Sequence, residues 1–251
     1  MELLPKNFDQ LVATAVRVFW TTRSGGSSSQ GGARGNVISG KNLDGFLNVV
    51  LAVARHCGLV EGCVFTTGGA LLTLPGYYRP TKNWDVVIVN RNRLLAVLEF
   101  KSHVGSFGNN FNNRSEEAIG NAADFWAAQS YGAFHPKNHT QQPGALPADP
   151  RAPFLGYLIL LEESQGSTRP VASRSTHYGV FPEFEGASYS DRYRILCEKL
   201  MEQNLYGAAS LMVSPETDGA SSGKWNSMSE ATDVRNLFTQ LAAQLLAAEQ
   251  A

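Results

Sequence analysis

Glu99 and Lys101 stand two apart in the run Leu94-Leu-Ala-Val-Leu-Glu-Phe-Lys101. A step of two along a strand returns to the same face, so a carboxylate and an ammonium project together while Phe100 points the other way, into a core. Asp85 comes earlier, at the head of Asp85-Val-Val-Ile-Val89, and the polar segment Asn90-Arg-Asn-Arg93 joins the two runs. A loop with an odd number of residues, such as Arg91 to Arg93 with Asn90 facing Leu94, sets Asp85 opposite Glu99 with their Cβ atoms about 5 Å apart. A two-residue loop sets Asp85 opposite Leu98 instead, so shared chemistry requires an odd loop or a bulge. Two close carboxylates repel unless a cation lies between them, and oxygen-only ligation suits a hard ion such as Mg²⁺. Such an ion polarises a phosphoryl oxygen and acidifies a bound water, which Lys101 would orient. The reaction these residues point to is phosphodiester hydrolysis.

The spacing alone is a weak signal, because an Asp followed by Glu-x-Lys also describes a solvated strand end or a surface ion pair. What strengthens it is the position of two charged residues at the end of a strand that is otherwise apolar.

The elements that must hold these residues are legible in the apolar pattern. Both faces of the 85–89 and 94–101 runs are apolar, which predicts a sheet covered by helices on both sides. Phe8, Leu11, Val12, Ala15, Val16 and Phe19 form a helical stripe. A second helix is expected from Leu43 to Cys57, with Gly58 near its end. Further helices are expected over Ser115–Phe134, with a partial cap at Ser115, then over Ser190–Asn204 and Ser229–Ala248. Ala70–Leu74, Phe154–Leu161 and Ala208–Val213 read as strands. Ser24 to Gly35 is Gly/Ser-rich without periodicity and reads as a loop, and Gln141 to Pro153 as a Pro-rich connection. The reading is an α/β fold with a mixed central sheet flanked by helices. It forms one domain over 1–251, with an N-terminal helix and a Gly/Ser-rich loop at about 24–40.

Composition sets the limits. The 251 residues, with 43% hydrophobic residues, allow a sizeable core. No apolar run approaches the roughly 20 residues of a membrane span, and Pro5, Lys6 and Asp9 stand where a secretory leader would be apolar, so a cytoplasmic protein is expected. Cys57, Cys63 and Cys197 fit neither a disulfide framework nor a CxxC knuckle and should be buried thiols. The formal net charge of -1 gives no global sign of a polyanion partner.

The three residues fit the P-D…(D/E)-x-K nuclease pattern, with Pro80 and Trp84-Asp85 in place of the compact Pro-Asp pair. Leu-Pro-Gly-Tyr-Tyr-Arg-Pro (74–80), Lys-Asn-Trp-Asp (82–85), Leu-Glu-Phe-Lys-Ser (98–102) and Phe-Gly-Asn-Asn-Phe-Asn-Asn-Arg-Ser-Glu-Glu-Ala-Ile-Gly-Asn-Ala (107–122) together resemble the XhoI type of restriction endonuclease. Pro-Phe-Leu-Gly-Tyr (153–157) and Gly-Ala-Ser-Tyr (186–189) extend the likeness over nearly the whole chain. The resemblance implies a Mg²⁺-dependent homodimer that recognises the palindrome CTCGAG and cuts after the first C, leaving four-base 5′ overhangs. Asp85, Glu99 and Lys101 then match the catalytic positions, and Asp85, Glu99 and Phe100 the expected metal site.

Double-stranded DNA should be met by Asn109, Asn110, Asn112, Asn113 and Arg114, whose amides and guanidinium suit base edges or phosphates. Gln30, Arg34 and Lys41 of the Gly/Ser-rich loop are further candidates. Read as structure only, the Asn run is a polar turn segment. Asp44, Glu61, Glu116 and Glu117 are open as extra carboxylates, and His103 reads as a hydrogen-bonded structural residue. The competing functions are a sequence-specific DNA-binding protein with a vestigial nuclease site, and a junction or repair nuclease of the same fold.

Overall fold

In the computed structural model, which describes residues 2–26, 42–135 and 152–249, alternation along the strands sorts the apolar side chains onto two sides of one sheet. The six strands run in the order β1-β4-β5-β6-β7-β8, comprising β1 (Val64–Phe65), β4 (Val86–Asn90), β5 (Arg93–His103), β6 (Phe154–Glu162), β7 (Ala208–Ser214) and β8 (Asn226–Ser227). β5, β6 and β7 are parallel neighbours, while the β1–β4, β4–β5 and β7–β8 pairings are antiparallel. A separate two-stranded ribbon, β2 (Thr73–Pro75) and β3 (Thr81–Asn83), precedes β4.

Val86, Ile88, Leu98, Phe100, Leu158 and Met212 face one way, onto a layer of α1 (Phe8–Gly26), α2 (Asp44–His56) and the C-terminal helix Val234–Glu249. Val87, Val97, Tyr157, Ile159, Leu161 and Leu211 face the other way, under α3 (Phe107–Ser130) and α4 (Tyr189–Glu202). Central strands covered on both faces show as continuous apolar runs, which is why β5 and β6 stand out in the sequence. The expected α/β sandwich is therefore present. The three cysteines are free and buried, also as expected, and no helix among the described residues is long and apolar enough to cross a membrane.

Three local expectations need correction. α3 begins at Phe107, eight residues before Ser115. Its apolar stripe of Phe107, Phe111, Ala118, Ala122 and Phe125 packs on the sheet and overrides the turn preference of the Asn run. Ser115 is mid-helix and returns its hydroxyl to the Phe111 carbonyl at 3.0 Å. The C-terminal helix begins at Val234 rather than Ser229, because the Leu211 N–H of β7 takes the Thr232 carbonyl at 3.0 Å and holds that stretch against the sheet. Ala70–Leu74 is not one strand, since a 3₁₀ turn over Gly69–Leu72 precedes β2. Ser24 to Gly26 close α1, while the remainder of the Gly/Ser-rich loop and most of the Pro-rich connection lie outside the described residues.

Candidate active site

The β4–β5 hairpin closes through a two-residue turn, Arg91 and Asn92, both with positive φ (49° and 61°), the turn class whose twist suits a hairpin. Continued regularly, this pairing would put Asp85 opposite Leu98, the arrangement incompatible with shared chemistry. A β-bulge prevents it. Val89 pairs with Leu94 but Ile88 pairs with Ala96, so Leu95 is the extra residue. The register advances by one, Val86 faces Leu98, and the next positions outward are Asp85 and Glu99. The bulge also leaves consecutive residues Leu95 and Ala96 in the same core layer, which the otherwise strict alternation forbids.

Asp85 lies just before β4, and its Oδ2 accepts the Phe100 N–H at 2.7 Å. Burial, and then the negative Glu99, push its carboxyl up to about 6, against the opposing pull of the Phe100 N–H and of Lys101 and Lys82. Glu99 is only 2% exposed. One of its oxygens pairs with Lys101, from the same strand face, and receives the Asn121 amide of α3 at 3.5 Å. The other accepts Lys82 Nζ of β3 at 2.9 Å. A partly buried carboxylate under pressure to take up a proton and a buried one held by two ammonium groups form a hard-oxygen donor pair that suits a divalent cation. Among the described residues no group of three His, Cys, Asp or Glu is placed to hold a metal ion.

Phe100 is in the opposite core as expected, its ring 6.2 Å from that of Phe46. Only its backbone is left for the site. In an extended strand the N–H and C=O of one residue point to the same edge, so the Phe100 carbonyl shares the edge on which its N–H meets Asp85.

Lys82, Asn121 and Asp124 are site residues that the sequence reading did not single out, although Lys82 belongs to the Lys-Asn-Trp-Asp segment. Lys82 also lies 4.3 Å from the centre of the Trp84 ring. Asp124 ties the β2–β3 ribbon to α3: its Oδ1 accepts the N–H groups of Tyr77 and Tyr78, both at 2.8 Å, and its Oδ2 accepts Arg79 Nε at 2.8 Å. Arg79 reaches Asn121 Oδ1 at 2.8 Å, so the ribbon, α3 and Glu99 form one connected polar chain. Burial works to raise the Asp124 carboxyl, but the N–H of Tyr78, the Arg79 guanidinium and the N–H of Tyr77 together hold it below the ordinary aspartate range. Gly76 permits the approach, since a β-carbon there would fall 2.7 Å from Asp124 Oδ2. Asp124→Ala removes the acceptor of two backbone donors and one guanidinium. It should lower unfolding stability by about 2–4 kcal/mol in a denaturant titration. A change under about 0.5 kcal/mol, within the range of ordinary surface substitutions, would show that the ribbon does not depend on this anchor.

His103, next on the Glu99–Lys101 face, places Nδ1 2.6 Å from the Tyr193 hydroxyl. Burial, the main influence, lowers its pKa, in keeping with a neutral structural residue. The Asn run is divided by the helix it opens. At 100° per residue, positions 110, 113 and 114 fall within about 100° of one another on the cylinder, and position 112 is about 100° or more from each of them. Asn112 lies apart and lines a groove of about 410 Å³ with Ile119 and Phe184. Asn110 gives its amide to the Ser106 carbonyl at 3.3 Å, and Arg114 pairs with Glu117 at 2.7 Å. Asn109 is placed within α3; Gln30, Arg34 and Lys41 lie outside the described residues.

The profile of the family described as "Restriction endonuclease XhoI" matches residues 21–227, most of the chain and all the residues just described. The chain belongs to that family. Among its relatives, the type II restriction enzyme XhoI of Xanthomonas vasicola is 46% identical over 200 residues, covering 77% of this chain and 75% of that protein. The type II restriction enzyme BstVI of Geobacillus stearothermophilus is 42% identical over 199 residues (77% and 82%). AbrI of Azospirillum brasilense, another type II restriction enzyme, is 41% identical over 187 residues (71% and 77%). No solved structure matches the chain significantly. As a member of the XhoI family it is a type II restriction endonuclease, a site-specific deoxyribonuclease.

Proposed function

We propose that this enzyme hydrolyses both strands of double-stranded DNA at CTCGAG, after the first C, with Mg²⁺ held by Asp85, Glu99 and the Phe100 carbonyl. The observation that carries the reading is the bulge at Leu95. It brings Asp85 level with Glu99 on the strand whose same face presents Lys101. The site preference follows the family likeness, which includes the 98–122 block.

The bound metal supplies charge at the phosphoryl oxygens and acidifies a water. The protein's own groups do the rest. Lys101, mostly covered and beside Glu99, orients the attacking water with its ammonium. Asp85 is held in place by the Phe100 N–H and keeps one carboxylate oxygen free of that bond. Asn121 steadies the Glu99 carboxylate from above. Asn110, Asn113 and Arg114 share a sector of the α3 surface, and Asn109 with Gln30, Arg34 and Lys41 of the Gly/Ser-rich loop completes the proposed DNA contacts; Asn112, on the groove side, is the weakest of the set. A rise of 1.5 Å per residue puts Arg114 about 10 Å and Asn110 about 16 Å along the helix from Asn121, within the length of a six-base-pair site. A palindrome cut on both strands is matched most simply by a two-fold dimer acting in the cytoplasm.

Incubating a plasmid that carries one CTCGAG with the protein and Mg²⁺ should give a single linear product with four-base 5′ overhangs. Sequence-selective binding without any cut would mean a vestigial catalytic site. Cutting without a discrete pattern would point to a structure-directed nuclease.

A further inference from the structure

Glu99 carries two lysines, one on each carboxylate oxygen, although it is buried and has Asp85 beside it. The four charges of Asp85, Glu99, Lys82 and Lys101 sum to zero when both acids are ionised, so this core is neutral without a metal. A divalent ion on Asp85 and Glu99 would leave it strongly positive and would need a Glu99 oxygen released by one ammonium. Lys101 sits on Glu99's own strand, two residues away on the same face, and moves with it. Lys82 comes from the three-residue strand β3, outside the main sheet. From the same position its Nζ lies 4.3 Å from the centre of the Trp84 ring and 3.2 Å from the Asn83 carbonyl, contacts that do not depend on Glu99. Its side chain is 12% exposed against 22% for Lys101, so it is drawn into the site more deeply than the lysine of the nuclease motif.

We propose that Lys82 is a positioning residue that fills the metal's place on Glu99 in the DNA-free protein and passes to a DNA phosphate when metal and DNA bind together. Lys82 then competes with the cation until a phosphate draws it off. By linkage, DNA and metal each strengthen the other's binding through it. The proposal rests on Glu99 being a metal residue, and its test separates the two ideas.

Ca²⁺ alone is the probe, titrated calorimetrically into the DNA-free protein with stability checked by thermal melting. Lys82→Met, which keeps the length of the side chain and removes its charge, should bind Ca²⁺ more tightly by on the order of tenfold. Lys82→Arg keeps the charge and should stay near the unmodified affinity. In fluorescence anisotropy on a CTCGAG duplex, the gain in DNA affinity on adding Ca²⁺ should shrink about fivefold or more in Lys82→Met. If Met loosens the ribbon, Lys82→Gln carries the same test, because its amide still meets Glu99 without a charge. Unchanged or weaker Ca²⁺ affinity in the folded neutral variants, or an equal gain in Lys82→Arg, overturns the proposal. Glu99→Gln sets the frame: it should abolish Ca²⁺ binding, and its failure to do so overturns the metal-site reading itself. Loss in Glu99→Gln with no gain in the neutral Lys82 variants overturns the Lys82 assignment alone.

Discussion

Asp85→Asn should reduce cleavage by on the order of a thousandfold and, in a chelator, make the protein more stable than the unmodified enzyme. Both effects follow from the proposed role of Asp85, a poorly solvated carboxylate that a cation would satisfy. The Asp85 carboxyl is pushed up to about 6 by burial and by Glu99, from an ordinary 3.8. Between those values the folded protein holds a proton that the unfolded chain has released, so stability falls as pH rises through the window and the whole penalty stands above it. About two units at about 1.4 kcal/mol each set an upper bound near 3 kcal/mol. Partial exposure of Asp85 trims this to about 1–2 kcal/mol. Asn keeps an oxygen for the Phe100 N–H and gives up the charge. In EDTA at pH 8, Asp85→Asn should melt above the unmodified protein, and the gap should close toward pH 4. Saturating Mg²⁺ should raise the melting temperature of the unmodified protein and leave the variant where it is. A variant that melts lower at pH 8 would mean that the ionised carboxylate is already well satisfied without metal.

The strands that carry this site were legible because a doubly covered sheet leaves continuous apolar runs, and Glu99 and Lys101 interrupt one of them. The need for a bulge or an odd loop was legible too, since only one parity of pairing aligns Asp85 with Glu99. Where the extra residue lies was not. Leu94 and Leu95 are both apolar, so nothing in the sequence marks which of them steps out of register, and the structure meets the requirement with a regular turn and Leu95. The start of α3 was hidden differently. Four Asn in a short span spell turns locally, and the helix exists because Phe107 and Phe111 join the core on that side of the sheet, Phe107 against Tyr189 and Phe111 against Tyr193. Lys82 and Asn121 were out of reach because their roles depend on tertiary placement. One comes from a ribbon that folds back through Asp124, the other from mid-helix, and neither has a spacing from Glu99 that a local pattern could expose.

Lys101→Ala should separate chemistry from binding. Lys101 pairs with one oxygen of Glu99, while Lys82 holds the other, so losing Lys101 leaves the buried carboxylate with an ammonium partner and the fold intact. The proposed DNA contacts are other residues, those of the N-terminal part of α3 and of the Gly/Ser-rich loop, with Lys82 for a phosphate, and the substitution leaves all of them in place. Affinity for a CTCGAG oligonucleotide in a gel shift should therefore change little. Single-turnover cleavage should drop by on the order of a hundredfold or more, the usual consequence of losing a positioned charge that acts mainly in the transition state. Lys101→Arg should restore little, because a planar fork cannot reproduce a compact ammonium beside a water. Ca²⁺ in place of Mg²⁺ should mimic the variant in the unmodified enzyme, allowing binding without efficient cutting, since the larger ion tolerates looser geometry and acidifies its water less. A Lys101→Ala protein that cuts at the unmodified rate refutes the mechanism. One that loses binding and cleavage in the same proportion makes Lys101 a phosphate contact rather than the group that orients the water.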